Sequence, residues 1–351
     1  MSESAGSPTS RTRWVIATVV IAVVALVVVL WVVMRDEPST DTAGSEPSIS
    51  PSEDPSETPT TQTSQPSASN RLPTLGTPRD LATDLGVPWG VAFLPDGSAL
   101  VSERATADVV RVTADGNTHP VGTVPGVTSD EEGGLLGIAV SSSYADDHLV
   151  YAYFTTAKDN RIVAMKQTSS GFGKPKVILE GIPRAAYHDG GRLMFGPDGM
   201  LYATTGDHLE PDLAQNRNSL AGKILRITPD GDVPDGNPFP DSPVWSYGHR
   251  NVQGLAFDDE GRLWATEFGN QAVDELNLIK PGANYGWPAV EGDGGASAQK
   301  QGFTNPQLTW PVEEASPSGL AWLDGVLYMG ALRGERLWQI PVSGNQAQEP
   351  K

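Results

Sequence analysis

Cysteine is absent from this chain of 351 residues, which rules out a disulfide framework and a lipoprotein-type anchor and leaves the fold to stand on its own core. Positive charge is scarce as well. The 24 Lys and Arg against 43 Asp and Glu give a formal charge of −19 and an isoelectric point near 4.5. No basic stripe exists to displace phosphate counterions, so nucleic acid is not an expected partner. Such an acidic surface mostly reports solubility. The five histidines are scattered. No HExxH, CxxC, nucleophile elbow or phosphate-binding loop occurs, which removes the usual zinc and hydrolase signatures.

One apolar run stands out, Trp14 to Met34, and at about 20 residues it is long enough to cross a bilayer as a helix. Arg11 and Arg13 before it favour an N-terminus inside and the bulk of the chain outside. A cleaved signal peptide competes with that reading, but no clear small-x-small site follows the run. Residues 1–13 are therefore expected to be a cytoplasmic tail, 14–34 a transmembrane anchor and the remainder extracytoplasmic. From Asp36 to about Arg79 the composition turns to Pro, Ser, Thr and acidic residues. A segment with so few large apolar side chains does not offset chain entropy by burial, so 35–79 reads as a disordered stalk. That leaves 80–351 as one folded domain.

Within it a strand-turn-strand unit recurs: GVAFLPDGSALVSE from Gly90, GIAVSSSYADDHLVYAYF from Gly137, LMFGPDGMLYATT from Leu193, GLAFDDEGRLWATE from Gly254 and GLAWLDGVLYMG from Gly319. Asp-Gly supplies the positive φ angles that tight hairpin turns demand. Copies begin about 45 to 65 residues apart, near the spacing of four-stranded propeller blades with loop insertions. The runs are rich in Val, Ile, Phe, Tyr and Trp and broken by Gly and Pro, a poor fit to a helical solenoid.

Two histidines lie in polar, glycine-flanked loops beside these units, His188 in YHDGGR and His249 in YGHRNVQG. Strand-entry loops of a propeller converge on its channel and make natural ligand sites. Taken locally, His188 is equally well a turn histidine capping a strand, and His249 leans toward a structural role. Arg250 and Asn251 together suit an anionic or carbonyl-bearing ligand. Asp274 and Glu275 lie in a Gly-rich loop region whose carboxylates and carbonyls suit a hard cation, although on composition alone surface acidity is the better account of them.

Taken together, these segments resemble the soluble quinoprotein glucose and sorbosone dehydrogenase family, also called aldose sugar dehydrogenases. The likeness runs from about Leu85 to Val342 and rests on EEGGLLGIA, HDGGRLMFGPDG, GKILRI, GHRNVQGLAF and DELNLIKPGANYGWP. It implies an all-β, six-bladed β-propeller of the quinoprotein glucose dehydrogenase type. It also implies an enzyme that uses pyrroloquinoline quinone (PQQ) and calcium to oxidise the anomeric carbon of an aldose sugar to a lactone. On that resemblance His188 is the general base, an imidazole being suited to the task by its near-neutral titration. Arg250 and Asn251 bind the quinone's reactive edge, Arg333 meets a cofactor carboxylate, and Glu132 lies near the sugar. The carbonyls of Gly269 and Asn270 match one calcium site, with proline at the second position in close relatives. Glu275 and the carbonyl of Tyr285 match another.

In one respect the chain departs from that family. Five hairpin copies are legible where six are implied, and the family's paired-arginine motif of the last blade is not reached by Lys351. Part of the last blade is therefore expected to be lacking and cofactor binding to be weakened. The alternative function is an extracellular binding or scaffold propeller without turnover, and a lactone hydrolase on a similar calcium propeller is a third reading. Neither the sugar nor the electron acceptor is specified by the sequence.

Overall fold

The computed structural model describes residues 72–351. The expected tail, the anchor over 14–34 and the stalk as far as residue 71 lie outside them. Among the described residues no helix is long and apolar enough to cross a membrane, so the transmembrane helix of the expected fold has no counterpart there. The end of the expected stalk, 72–79, is coil, and the Pro73 carbonyl accepts a hydrogen bond from Gln339 Nε2 at 3.1 Å.

Five antiparallel sheets follow one another along the chain. The first spans Pro88 to Thr123, the second Leu135 to Ile182, the third Leu193 to Tyr247, the fourth Val252 to Pro311 and the fifth Pro317 to Ala347. Four have four strands in sequential order; in the second, Lys176–Ile182 also pairs with Asn160–Thr168. The first strand of each sheet packs on the first strand of the next, from the first sheet through to the fifth, which sets these strands around a common axis. The expectation of six blades is therefore corrected to a five-bladed propeller. The reason is local. Each hairpin unit in the sequence builds the inner strand pair of one sheet, and the sequence carries five such units.

The Asp-Gly positions fall in the turns, in two geometries. In Leu94–Gly97 and Gly196–Gly199 the fourth residue's N–H closes on the first carbonyl at 2.9 Å in each. There only the glycine takes a positive φ, 81° at Gly97 and 75° at Gly199. In the tighter Asp324-Gly325 turn, which joins paired Leu323 and Val326, both residues do, at 49° and 83°. That is the two-residue hairpin whose twist matches that of its strands.

Because sheets stack face to face, inner strands read as nearly continuous apolar runs rather than alternating ones. Leu149–Thr155 and Val252–Phe257 are examples, buried along almost their whole length. Four apolar clusters fill the junctions: Leu100 with Val150, Leu136 with Leu201, Tyr202 with Leu255, and Trp264 with Leu327. Burying each such side chain stabilises the fold by about 1.5–3 kcal/mol. None of these clusters joins the fifth sheet to the first.

Candidate active site

The inner strands begin at one end of the ring, and the loops entering them enclose an axial cavity of about 250 Å3. Trp89, Leu136, Asp189, Gln253 and Ser318 line it, so each of the five sheets or the loop leading into it contributes. Near this axis Arg192 ties three sheets together. Its Nε donates to the Gln253 carbonyl at 2.9 Å and its guanidinium lies 4.1 Å above the Trp89 ring. A larger hollow of about 520 Å3 lies at the turn end of the first two sheets, beside Asp96, Arg111, Tyr144 and His148. Arg111 there is already paired with Asp96, whereas Arg250, in a narrow cleft beside Trp287, Glu267 and Glu291, has a buried Nε without a partner among the described residues.

His188 sits in the loop entering the third sheet with φ 68°, left-handed for a residue with a side chain. Such backbone costs about 1 kcal/mol or more and persists where neighbours fix it. Glu132 fixes it here, Oε2 accepting the His188 N–H at 2.8 Å. Behind it stands Gly206, where a Cβ would lie only 1.9 Å from the His188 carbonyl oxygen. The imidazole Nδ1 lies 2.6 Å from Asp207 Oδ1, and Trp287 Nε1 donates to Asp207 Oδ2 at 2.8 Å. Burial pushes the Asp207 carboxyl up. The hydrogen bond and charge of His188, with the Trp287 and Leu209 N–H groups, outweigh burial and hold it below its ordinary range. An ionised carboxylate only accepts, so Nδ1 is the nitrogen that donates in this pair, and in the neutral tautomer that does so the lone pair lies on Nε2.

Arg250 joins the same cluster from the loop between the third and fourth sheets. Its carbonyl accepts the Asp207 N–H at 2.7 Å, its guanidinium lies 5.6 Å over the Trp287 ring, and Nη1 donates to the Phe268 carbonyl at 3.2 Å. Burial lowers its pKa, while Asp207, Glu267, Glu291 and Glu132 act in the opposite sense. Asn251 is wholly buried. Its Oδ1 accepts the Gly190 N–H at 3.1 Å and Gln253 Nε2 at 3.2 Å. Arg250 Nε and Asn251 Nδ2 are buried and have no partner among the described residues. Unpaired buried donors are costly and rare, so each calls for an acceptor.

The remaining expected residues fall on the fourth and fifth sheets. The Gly269 N–H donates to Asp274 Oδ1 at 2.9 Å, and Asn270 is exposed beside it. Burial raises the Asp274 pKa against the pull of the Gly269 and Ser316 N–H groups and of the Arg250 and Arg333 charges. Arg333 is exposed in the turn after Val326–Ala331 and lines neither the axial cavity nor the cleft that holds Arg250. Glu275 is pushed up by burial, then by the charges of Glu267 and Glu291. Tyr285 is buried with its ring stacked on His249 at 4.7 Å. His249 also bonds Ser246 at 2.8 Å and Glu267 at 2.9 Å, so both its ring nitrogens are used structurally.

Sequence reasoning missed Asp207 and Trp287, which orient His188, and Asp189, whose buried Oδ2 is unpaired among the described residues. The signal for Asp207 was the acidic residue closing TTGD directly after the second strand of the His188 hairpin. Trp287 lies 80 residues from Asp207, and no local pattern connects them.

Residues 85–351 match the family model described as Glucose / Sorbosone dehydrogenase. The structure is similar to that of the PQQ-bound form of aldose sugar dehydrogenase from Streptomyces coelicolor, with TM-score 0.75, 55% identity and coverage of 78% of this chain and 83% of that one. Aldose sugar dehydrogenase of Escherichia coli (strain K12) is 28% identical over 305 residues, 77% of this chain and 81% of its own. Quinoprotein glucose dehydrogenase B of Acinetobacter calcoaceticus is 32% identical over 249 residues. That match covers 60% of this chain and 52% of the relative, so the chain spans about half the relative's length.

Proposed function

This chain belongs to the glucose and sorbosone dehydrogenase family, and from that premise we propose that it is a PQQ-dependent aldose sugar dehydrogenase with His188 as general base. The observation that carries the reading is the part-buried His188–Asp207 pair linked through Trp287 to Arg250, beside two buried donors without partners among the described residues. PQQ is an acceptor-rich, polyanionic quinone, and the orphaned Arg250 Nε and Asn251 Nδ2 fit such a group. When bound, the quinone supplies the two-electron acceptor for hydride leaving the sugar's anomeric carbon.

The chain's own part is positioning and proton transfer. Nε2 of His188, left with its lone pair by Asp207, takes the proton of the anomeric hydroxyl. Asp207 stabilises the imidazolium so formed, and Trp287 keeps Asp207 from turning away. Arg250 places positive charge where negative charge develops on the acceptor. Glu132 holds the His188 backbone and lines the axial cavity, from which it would meet a sugar. Arg333 provides a second cation for a cofactor carboxylate.

Calcium fits the donor set through oxygen atoms. Among the described residues no three His, Cys, Asp or Glu side chains are arranged to hold a metal, so the set leans on carbonyls, which calcium accepts. Gly269 and Asn270 would offer theirs to a cation beside the quinone, and Glu275 with the Tyr285 carbonyl would hold another. The carboxyl of Glu275, repelled by Glu267 and Glu291, is the kind of group that a cation relieves. Reconstituting the protein with PQQ and calcium and following dye reduction over a panel of aldoses tests the proposal. Aldose-dependent reduction is expected. No detectable quinone binding by calorimetry in saturating calcium would overturn it.

A further inference from the structure

The turn from Gly269 to Val273 leads out of strand Leu263–Glu267 and carries both carbonyls assigned above to the quinone-side cation. Its shape is held from a single atom. Glu291 Oε1 accepts the backbone N–H of Asn270 at 2.7 Å, Gln271 at 3.0 Å, Ala272 at 3.0 Å and Val273 at 3.3 Å. Successive N–H groups converging in this way form a nest, a concavity made for an anion. The carboxylate that fills it comes from this chain.

A geometric consequence follows from peptide planarity. In a trans peptide the N–H of one residue and the carbonyl of the residue before it point in opposite directions. With four N–H groups gathered on Glu291, the carbonyls of Gly269, Asn270, Gln271 and Ala272 must face the other side of the turn. The closure is tight at its first residue, where a Cβ on Gly269 would lie 1.8 Å from the Val273 carbonyl oxygen. Glu291 itself is steadied by its neighbour, since the Gly292 N–H donates to Glu275 Oε1 at 2.7 Å.

We propose that Glu291 is a positioning residue that sets the carbonyl face of the 269–273 turn for cation and quinone. It needs no contact with the sugar. The inference rests on the quinone-and-calcium reading and deepens it, because it names the group that fixes the carbonyl ligands.

The test uses the full chain with Glu291→Ala and Glu291→Gln, the latter keeping an acceptor oxygen without the charge. In apoprotein without calcium, amide hydrogen exchange at 270–273 is expected to quicken in Glu291→Ala while the rest of the fourth sheet stays protected. Calorimetry of PQQ binding at graded calcium should then show a half-saturating calcium concentration raised about tenfold or more, the scale of one charge-assisted hydrogen bond. Glu291→Gln should fall between wild type and Glu291→Ala in both measurements. Unchanged exchange at 270–273 overturns the proposal, as does faster exchange with an unchanged calcium requirement. Exchange loosened across the whole sheet also overturns it, since Glu291 would then be a general structural residue. If wild type binds neither quinone nor calcium, the functional reading fails and the calcium half of this inference with it. The exchange measurement still decides whether Glu291 shapes the turn.

Discussion

Two inner strands cut from the same repeat have opposite fates. Gly254-Leu255-Ala256-Phe257 in the fourth sheet and Gly90-Val91-Ala92-Phe93 in the first occupy the same place in the hairpin unit. Leu255 is 0% exposed and Val91 53%. Phe257 packs edge-on against Tyr202 with centroids 5.1 Å apart, whereas Phe93 is 73% exposed. The fifth sheet mirrors the first, with Leu323 58% and Leu337 51% exposed. Local pattern makes the strand, and the adjacent sheet decides its burial. Chemistry follows the same division: His188, Asp207, Arg250 and Trp287 all sit at the third and fourth sheets, where neighbours cover both faces, while exposed Arg333 comes from the fifth.

The sharpest way to break that division is to remove the base from the covered side. His188→Ala is expected to lower kcat by about a thousandfold, within the range general-base catalysis contributes. Quinone affinity should hardly change, because the role proposed for His188 is toward the sugar. Steady-state kinetics with calorimetric titration checks both. Equal loss of turnover and quinone binding would show that His188 shapes the cofactor site instead.

Next in size is the packing term. Leu255→Ala should destabilise the domain by about 2–5 kcal/mol, the cost of a cavity that the surrounding sheets do not collapse to fill. Denaturant unfolding measures it. A loss below about 1 kcal/mol would mean that the third–fourth junction is no better packed than the open seam.

Asp207→Asn comes third, with kcat expected to fall about a hundredfold if the amide favours the wrong imidazole tautomer, a smaller loss than deleting the base. It also carries a pH signature. The folded-state pKa of Asp207 is depressed, so its stabilisation is present above the ordinary carboxylate value near 4 and is lost as pH falls through the folded value. Thermal unfolding against pH should show a steeper acid limb for wild type than for Asp207→Asn. Parallel limbs would mean that the pair contributes no linked stability.

What was legible in the sequence divides along the same lines. Asp-Gly turns announced the first, third and fifth inner hairpins, the fourth turns through Glu260-Gly261 and the second through a longer loop, and counting the hairpin units gives the observed five sheets; the number six came from family resemblance and failed. Loops entering those hairpins were legible as the candidate site because polar Gly-flanked runs at strand starts converge in this architecture. The contacts that finish the site were not legible. His188 meets Asp207 nineteen residues on, and Glu291 reaches back about twenty residues to cap a turn, distances at which neither strand nor helix periodicity carries information.

The smallest expected effect concerns the exposed faces themselves. Phe93→Ser and Leu323→Ser remove apolar area that already contacts water, so little transfer free energy is lost on folding. Each should shift stability within about 0.5 kcal/mol, as surface substitutions do. Contrast with Leu255→Ala makes the measurement informative, since all three positions lie on inner strands of equivalent hairpins. The first and fifth sheets also expose large apolar side chains, and exposed apolar surface promotes association. Phe93→Ser with Leu323→Ser should therefore lower any concentration-dependent self-association seen by light scattering, without changing quinone affinity. A loss of several kcal/mol from Phe93→Ser alone would show that the seam is packed in solution and that the two strands share one fate after all.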